Sequence, residues 1–302
     1  MSIADTTPKP VRLVVHGPPG SAPPVLAEAF RAAVLETGLD SRPWELVSRG
    51  LDPGIDAMAL LAEHPGGPDI LSTCTPVFLQ APLLRGLAFT HRDLTPIARL
   101  VADRYLIVAR SDTPWTSPAA FLDGLRQRTT RTGGYFKGGI NHLLALAIAD
   151  AAGASVDFRV VANEPEVWGE IREGSLDWGS GVAAEVLPHI EAGHLRAVAA
   201  LDDQRLPGFE DVPALAEAGA PVTFRLWRGL MGPAQLGEAD QRRWHELADA
   251  ARQTKAWRLY LARNSQSDDF LPGPAFRDFL DREWEWYERN LGRAGLLPPA
   301  KP

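Results

Sequence analysis

The segment Val11 to Ser21, VRLVVHGPPGS, constrains this chain most. A short run of buried-strand character stops at a Gly/Pro turn. The next stretch, PPVLAEAFRAAVLETG, places prolines where a helix start accepts them, repeats apolar residues at helical spacing and closes on Gly38. Strand, tight turn and helix in this order aim first-turn N–H groups beyond the strand's carboxyl end, an arrangement that suits an anion. The order returns in TGGYFKGGINHLLALAIADAAG, where a Gly-rich loop from Gly133 to Gly139 leads into a helix with Asn141 as candidate N-cap. Two such loops predict a ligand held at both ends.

The intervening pattern repeats the same grammar. WELVSRG and PDILSTCTPVFLQ read as strands separated by the short helix GIDAMALLAEH, and PIARLVADRYLIVAR reads as one or two further strands. Ser117 and Pro118 mark a helix start. Strands at VDFRVVAN, LDWGSG and LRAVAAL then alternate with helices at EPEVWGEIREG and VAAEVLPHIEAG. FRLWRGLMGP reads as a strand-like crossover, and the rest of the chain as almost wholly helical. In the last helix Phe276, Phe279, Leu280, Trp284, Tyr287 and Leu291 share one face that must cover a core built earlier. Such alternation predicts an α/β protein with mainly parallel sheets flanked by helices, binding ligands outside the carboxyl ends of the strands.

Length and charge narrow the function. A chain of 302 residues, 45% apolar and 23% charged, predicts two globular domains. A net charge of -7 without a Lys/Arg cluster excludes nucleic acid as a partner. The single cysteine, Cys74, rules out an internal disulfide and a cysteine-built metal site. His189 and His194 are five apart and H-E-x-x-H is absent, so no metal constellation is read, and no cofactor is called for.

The candidate ligand-binding residues follow from the two loops. Gly17, Gly20 and Ser21 form the first, and Gly138, Gly139 and Asn141 the second, because glycine lets the backbone approach a carboxylate while hydroxyls and amides add donors. Thr73 and Thr75 flank Cys74 at a strand end and can orient a second polar group, or simply complete a turn. Ser180 is read in a strand-to-helix turn facing the ligand. Trp178 either lines the site or packs beneath it. His142, in a first helical turn, is either a ligand contact or a ring that holds the Gly-rich loop. Trp227 and Arg228 lie at the crossover, where an arginine can pair with a carboxylate.

The ordered set of motifs resembles the solute receptors of tripartite tricarboxylate transporters, the Bug family of periplasmic binding proteins, over nearly the full length. VRLVVHGPPGS resembles the family's opening strand and PPGG loop, and GGPDILSTCTP its "PDGYTLL" strand and polar loop. The stretch through Asn141 and His142 resembles its G-x-G-S-x-x-H-L helix start. LPHIEAGHLRAVAAL with Arg205 and DVPALAEAGAP parallels a further run, and Trp227, Gly229, Leu230 and Pro233 match a "W.gl.aP" crossover. Two departures stand out: His16-Gly17 replaces Pro-Phe, and VVANEP at 160–165 replaces V-P-Y-K-G with loss of its Tyr-Lys pair, where Asn163 is taken as a ligand contact and Glu164 adds a carboxylate near the expected cleft.

The resemblance implies a two-lobed, type II periplasmic-binding-protein fold. Residues 10–108 with 226–302 are then expected to form one lobe and residues 109–225 the other, closing like a hinge on a small carboxylate-containing metabolite. It implies a monomer that binds a small organic acid, breaks no bond and, if exported, delivers its ligand to membrane permease subunits. Location stays open: MSIADTTPKP has neither a basic n-region nor an apolar h-region, which gives the periplasm or cell envelope if a signal peptide was removed and the cytoplasm if Met1 is the native start. The alternative is a cytosolic enzyme or ligand sensor on the same scaffold, motivated by His16, a histidine at a binding edge that can titrate near neutrality.

Overall fold

The structure, a computed structural model, describes residues 9–17, 21–49, 52, 54–264 and 266–299, the side chain of Glu164 aside. The chain divides into two compact units. Residues 1–102, 227–287 and 298–302 group as unit 1, and residues 103–226 and 288–297 as unit 2.

In chain order, unit 1 opens with β1 (Val11–His16), α1 (Ala22–Thr37), β2 (Trp44–Arg49), α2 (Ile55–Ala62), β3 (Ile70–Cys74) and α3 (Val77–Arg85). One uninterrupted strand, β4 (Thr95–Arg110), then carries the chain into unit 2. There α4 (Pro118–Gln127), β5 (Thr130–Gly134), α5 (Ile140–Ala152), β6 (Val156–Val160), α6 (Glu164–Glu173), β7 (Trp178–Val182), α7 (Ala183–Glu191) and β8 (Leu195–Ala200) follow. The return strand β9 (Arg225–Gly232) leads to α8 (Glu238–Arg252), α9 (Lys255–Asn264), β10 (Ser267–Pro272) and α10 (Gly273–Arg293).

The pairs that carry the two loops are parallel: β1 lies between β2 and β3 in unit 1, and β5 pairs β6 in unit 2. The long connecting strands enter antiparallel, β9 against β3, β10 against the first part of β4, and β7 and β8 against its second part. Sequence reading missed β10. Its SDDFLP alternates weakly and becomes a strand by pairing with Ala98–Ala102, a long-range partner that local pattern cannot reveal.

Unit 1 is built on interlocking aromatics. Phe30 meets Trp44 edge-on at 5.9 Å and Trp257 at 6.3 Å, while Trp44 meets Trp244 at 5.8 Å. All four are buried, so α1, α8 and α9 clamp one face of the sheet around them. The apolar stripe of α10 also packs as its spacing predicts: Phe276, Leu280, Trp284, Tyr287 and Leu291 are buried, and Phe279 lies against Trp227. Unit 2 has its own core, in which Leu106 and Val108 pack with Val167, Trp168, Ile171 and Val186. Trp178 is fully buried there, its indole donating to Thr130 Oγ1 at 3.0 Å and its ring edge-on to Phe121, so it packs beneath the strands and does not line a surface. Among the described residues, no helix is long and apolar enough to cross a membrane.

Candidate functional site

In unit 1 the parallel strands β1 and β3 end side by side, and their last residues make one hydrogen-bonded group. His16, the final residue of β1, is 2% exposed. Its Nδ1 lies 3.0 Å from Thr73 Oγ1 and its Nε2 3.0 Å from Thr75 Oγ1, with Phe78 edge-on at 5.1 Å. The β3–β9 register ends on Cys74 paired with Gly229, the neighbours in sequence of Thr75 and Arg228, and the Arg228 side chain, 6% exposed, lies near enough for its charge to act on His16. His16, Thr73, Thr75 and Arg228 are therefore brought together.

Burial removes solvation from the His16 imidazolium and lowers its pKa to about 4; the Thr73 main chain works against this and the Arg228 charge adds to it. The expectation that His16 titrates near neutrality is thus corrected. At pH 7 the ring is neutral, and each nitrogen already has a hydroxyl partner. Cys74 is a buried thiol whose pKa burial pushes well up, which leaves it inert as a nucleophile.

The loop after β1 turns at Gly17, where φ is +98° and a β-carbon would sit 3.0 Å from Ser21 Oγ. The positive φ favours glycine there, and the Ser21 hydroxyl would have to give way to any β-carbon. Gly20 lies outside the described residues. Ser21 is the extended N-cap of α1, but its hydroxyl does not cap that helix. Pro23 and Pro24 stand in the first turn, so Ala22 and Val25 alone supply N–H groups among its first four positions. This start offers half the donors that the sequence pattern suggested.

In unit 2, β5 ends at Gly134 and α5 begins after Gly139. Gly139, extended at φ -70° and ψ 171°, is the N-cap, and no side chain caps the helix. The expected cap, Asn141, instead lies one residue inside the helix and donates from Nδ2 to the Ser180 carbonyl at 2.6 Å, with Ser180 Oγ at 3.5 Å. The amide has better use as a tie between α5 and β7 than as a cap, because both groups are buried. Ser180 is correspondingly in the middle of β7, and not in a strand-to-helix turn.

Gly138, at φ +87°, donates its N–H to His142 Nδ1 at 3.0 Å. The His142 ring, 4.4 Å from that of Phe158, holds the Gly-rich loop against the first turn of α5. Burial, and then the Lys137 charge, lower its pKa, so it too is neutral, with its proton on Nε2. Gly138, Gly139, Asn141, His142 and Ser180 form the second group. Tyr135 and Phe136, 60% and 43% exposed on the same loop, were not singled out from sequence, although two adjacent aromatics in a glycine run were the available signal.

Two expected contacts belong elsewhere. Asn163 is exposed and caps α6: its Oδ1 accepts the Glu166 N–H at 3.1 Å while the Glu166 carboxylate accepts the Ala162 N–H at 2.7 Å. Trp227 is fully buried between Phe276 and Phe279 and donates to Glu283 Oε2 at 3.1 Å, so it presents no surface to a ligand. A separate cavity of about 540 Å³ in unit 2, lined by Arg110, Arg128, Arg131 and Asp177, lies at the opposite end of β5. Its Arg128 and Arg131 are tied to Asp177.

Comparison with known proteins agrees with this architecture. The protein BugT of Bordetella pertussis is 27% identical over 245 residues, covering 76% of this chain and 72% of that one. A crystal structure of a TctC solute binding protein from Polaromonas, without ligand, superposes with a TM-score of 0.83 at 26% identity, covering 94% of this chain and 98% of that one. R. palustris Rpa4515 with adipate shares the fold at a TM-score of 0.75 and 20% identity, covering 96% and 99%. The model described as "Tripartite tricarboxylate transporter family receptor", TctC, matches residues 54–268, more than two thirds of the chain. The chain therefore belongs to the TctC family of tripartite tricarboxylate transporter solute-binding receptors.

Proposed function

We propose that this chain captures a small carboxylate-bearing metabolite for a tripartite tricarboxylate-type permease, acting as a monomeric receptor in the periplasm without chemical turnover. The candidate ligand groups are Ser21, Thr75 and Arg228 with His16 behind them in unit 1, and the start of α5 with Gly138, Gly139 and Asn141 in unit 2.

The observation that carries this reading is the start of α5. A helix whose N-terminus has a glycine cap, no capping side chain and a loop pinned by His142 presents preorganised N–H groups of favourable dipole to an anion. Each hydrogen bond to a charged group contributes roughly 1.5–3 kcal/mol, so a few suffice for micromolar affinity, about -8 kcal/mol. The overall charge of -7 gives an anion no long-range attraction, which leaves local donors to supply the affinity. A neutral His16 with both nitrogens bonded is poorly suited to proton transfer at pH 7, which weighs against the enzymatic alternative.

The test is a thermal-shift screen of mono-, di- and tricarboxylates, followed by calorimetry on the hits. A stabilising acid is expected, by linkage of binding to folding. Absence of any shift at millimolar concentration across the screen, adipate included, would remove this reading.

A further inference from the structure

His16 determines more than the shape of its strand end. A neutral imidazole has one N–H and one lone pair, and burial keeps this ring neutral across the physiological range. The Thr73 hydroxyl is directed at the Val14 carbonyl, 3.5 Å away, so its oxygen is turned to accept from His16 Nδ1. The Thr73 geometry thus puts the ring proton on Nδ1. Nε2 then carries a lone pair, and the contact of 3.0 Å to Thr75 requires the Thr75 hydroxyl to donate.

The Thr75 proton is thereby committed inward, and the half-buried Thr75 oxygen retains lone pairs at the end of β3. A carboxylate oxygen meeting it would set lone pair against lone pair. A hydroxyl completes the bond. An ammonium group would also complete it, but Arg228, next in sequence to the Gly229 that pairs Cys74, already exerts its charge on His16. That cation disfavours a second one and suits a neighbouring carboxylate. Resting on the carboxylate reading above, we propose that His16 makes Thr75 a hydrogen-bond acceptor, so that unit 1 selects a hydroxy acid over the same acid lacking its hydroxyl.

The experiment has two arms on the full chain. Long-range ¹H–¹⁵N spectra of labelled protein report the His16 tautomer, with Nδ1–H expected. An Nε2–H tautomer overturns the inference, because Thr75 would then be free to donate. Calorimetry compares malate with succinate, 2-hydroxyglutarate with glutarate, and 2-hydroxyadipate with adipate. In any pair that binds, the hydroxy acid is expected to bind about tenfold more tightly, as one satisfied hydrogen bond contributes. Thr75→Val should abolish that preference, whereas Thr75→Ser should retain it. Equal binding within every pair that binds overturns this inference alone, and no binding of any of the six acids overturns the carboxylate reading and this inference with it.

Discussion

The indole N–H of Trp227 donates to the carboxylate of Glu283 at 3.1 Å, tying the first residues of β9 in unit 1 to the long C-terminal helix α10. Burial raises the Glu283 pKa to about 7, although the Trp227 bond and the charges of Arg99 and Arg282 act in the opposite direction. Neither residue's helical or strand spacing hints at this pair, since 56 positions separate them.

Glu283 gives the fold a pH dependence of definite sign. Between the ordinary value of 4.5 and about 7 the folded state holds one proton more than the unfolded state. Stability therefore falls as pH rises through that window, by roughly 3 kcal/mol in all. Glu283→Gln should abolish this component in urea melts taken every half pH unit.

His16 acts in the reverse sense. Its folded pKa of about 4 lies below the ordinary 6.5, so the unfolded state holds the extra proton between these values. Its contribution is lost as pH falls from 6.5 to 4, again roughly 3 kcal/mol. The two contributions oppose each other between pH 4.5 and 6.5. Relative to the parent, Glu283→Gln should gain stability more steeply with rising pH and His16→Gln less steeply; a change of slope in the same direction in both variants would refute the assignment.

The second loop should tolerate little. Gly138 at φ +87° is strained by any side chain, and Gly138→Ala is expected to cost roughly 1–2 kcal/mol. A β-carbon at Gly134 would lie 2.6 Å from Asn141 Cβ and 3.1 Å from the Phe158 ring. Gly134→Ala should therefore push α5 off β5 at a cost of about 1–3 kcal/mol. Equilibrium unfolding reads both, and Gly153→Ala, with open space around it, serves as a control for positive φ without a clash.

Asp202 of unit 2 holds Arg104 in β4 and Arg225 in β9, the latter with Nη2 at 2.8 Å and Nε at 3.2 Å. Burial alone would raise its pKa, but the two arginines hold it well below the usual carboxylate range. This stabilisation is present above that range and is lost as pH falls below it. Asp202→Asn should cost about 2–3 kcal/mol, less than for a wholly buried pair because both arginines are partly exposed. A loss confined to acid pH would contradict this, since the asparagine variant lacks the charge at every pH.

Much of the architecture was legible. Ser117 and Pro118 open α4 as read, Gly38 closes α1 in the left-handed conformation, and the α10 stripe is the buried face. These features depend on neighbours within a turn or two, and the family motifs are likewise local strings in a fixed order. The roles of the site residues were less legible. Asn141 and Ser180 were both singled out, yet neither string indicates that one side chain reaches the other's carbonyl across 39 positions.

The sequence by itself determined most of the order of strands and helices, the turn at Gly38, and the recurrence of a strand, a glycine-bearing turn and a helix in each unit. Tertiary structure alone decided that Trp227 is core, that Asn163 is a cap, that Glu283 is a half-buried acid bonded to Trp227 and that His16 is a neutral ring between two threonines. The reason is physical. Turn and helix preferences are set by a residue's own backbone and its near neighbours, whereas burial, proton affinity and the direction of a hydrogen bond are set by whatever the rest of the chain brings alongside.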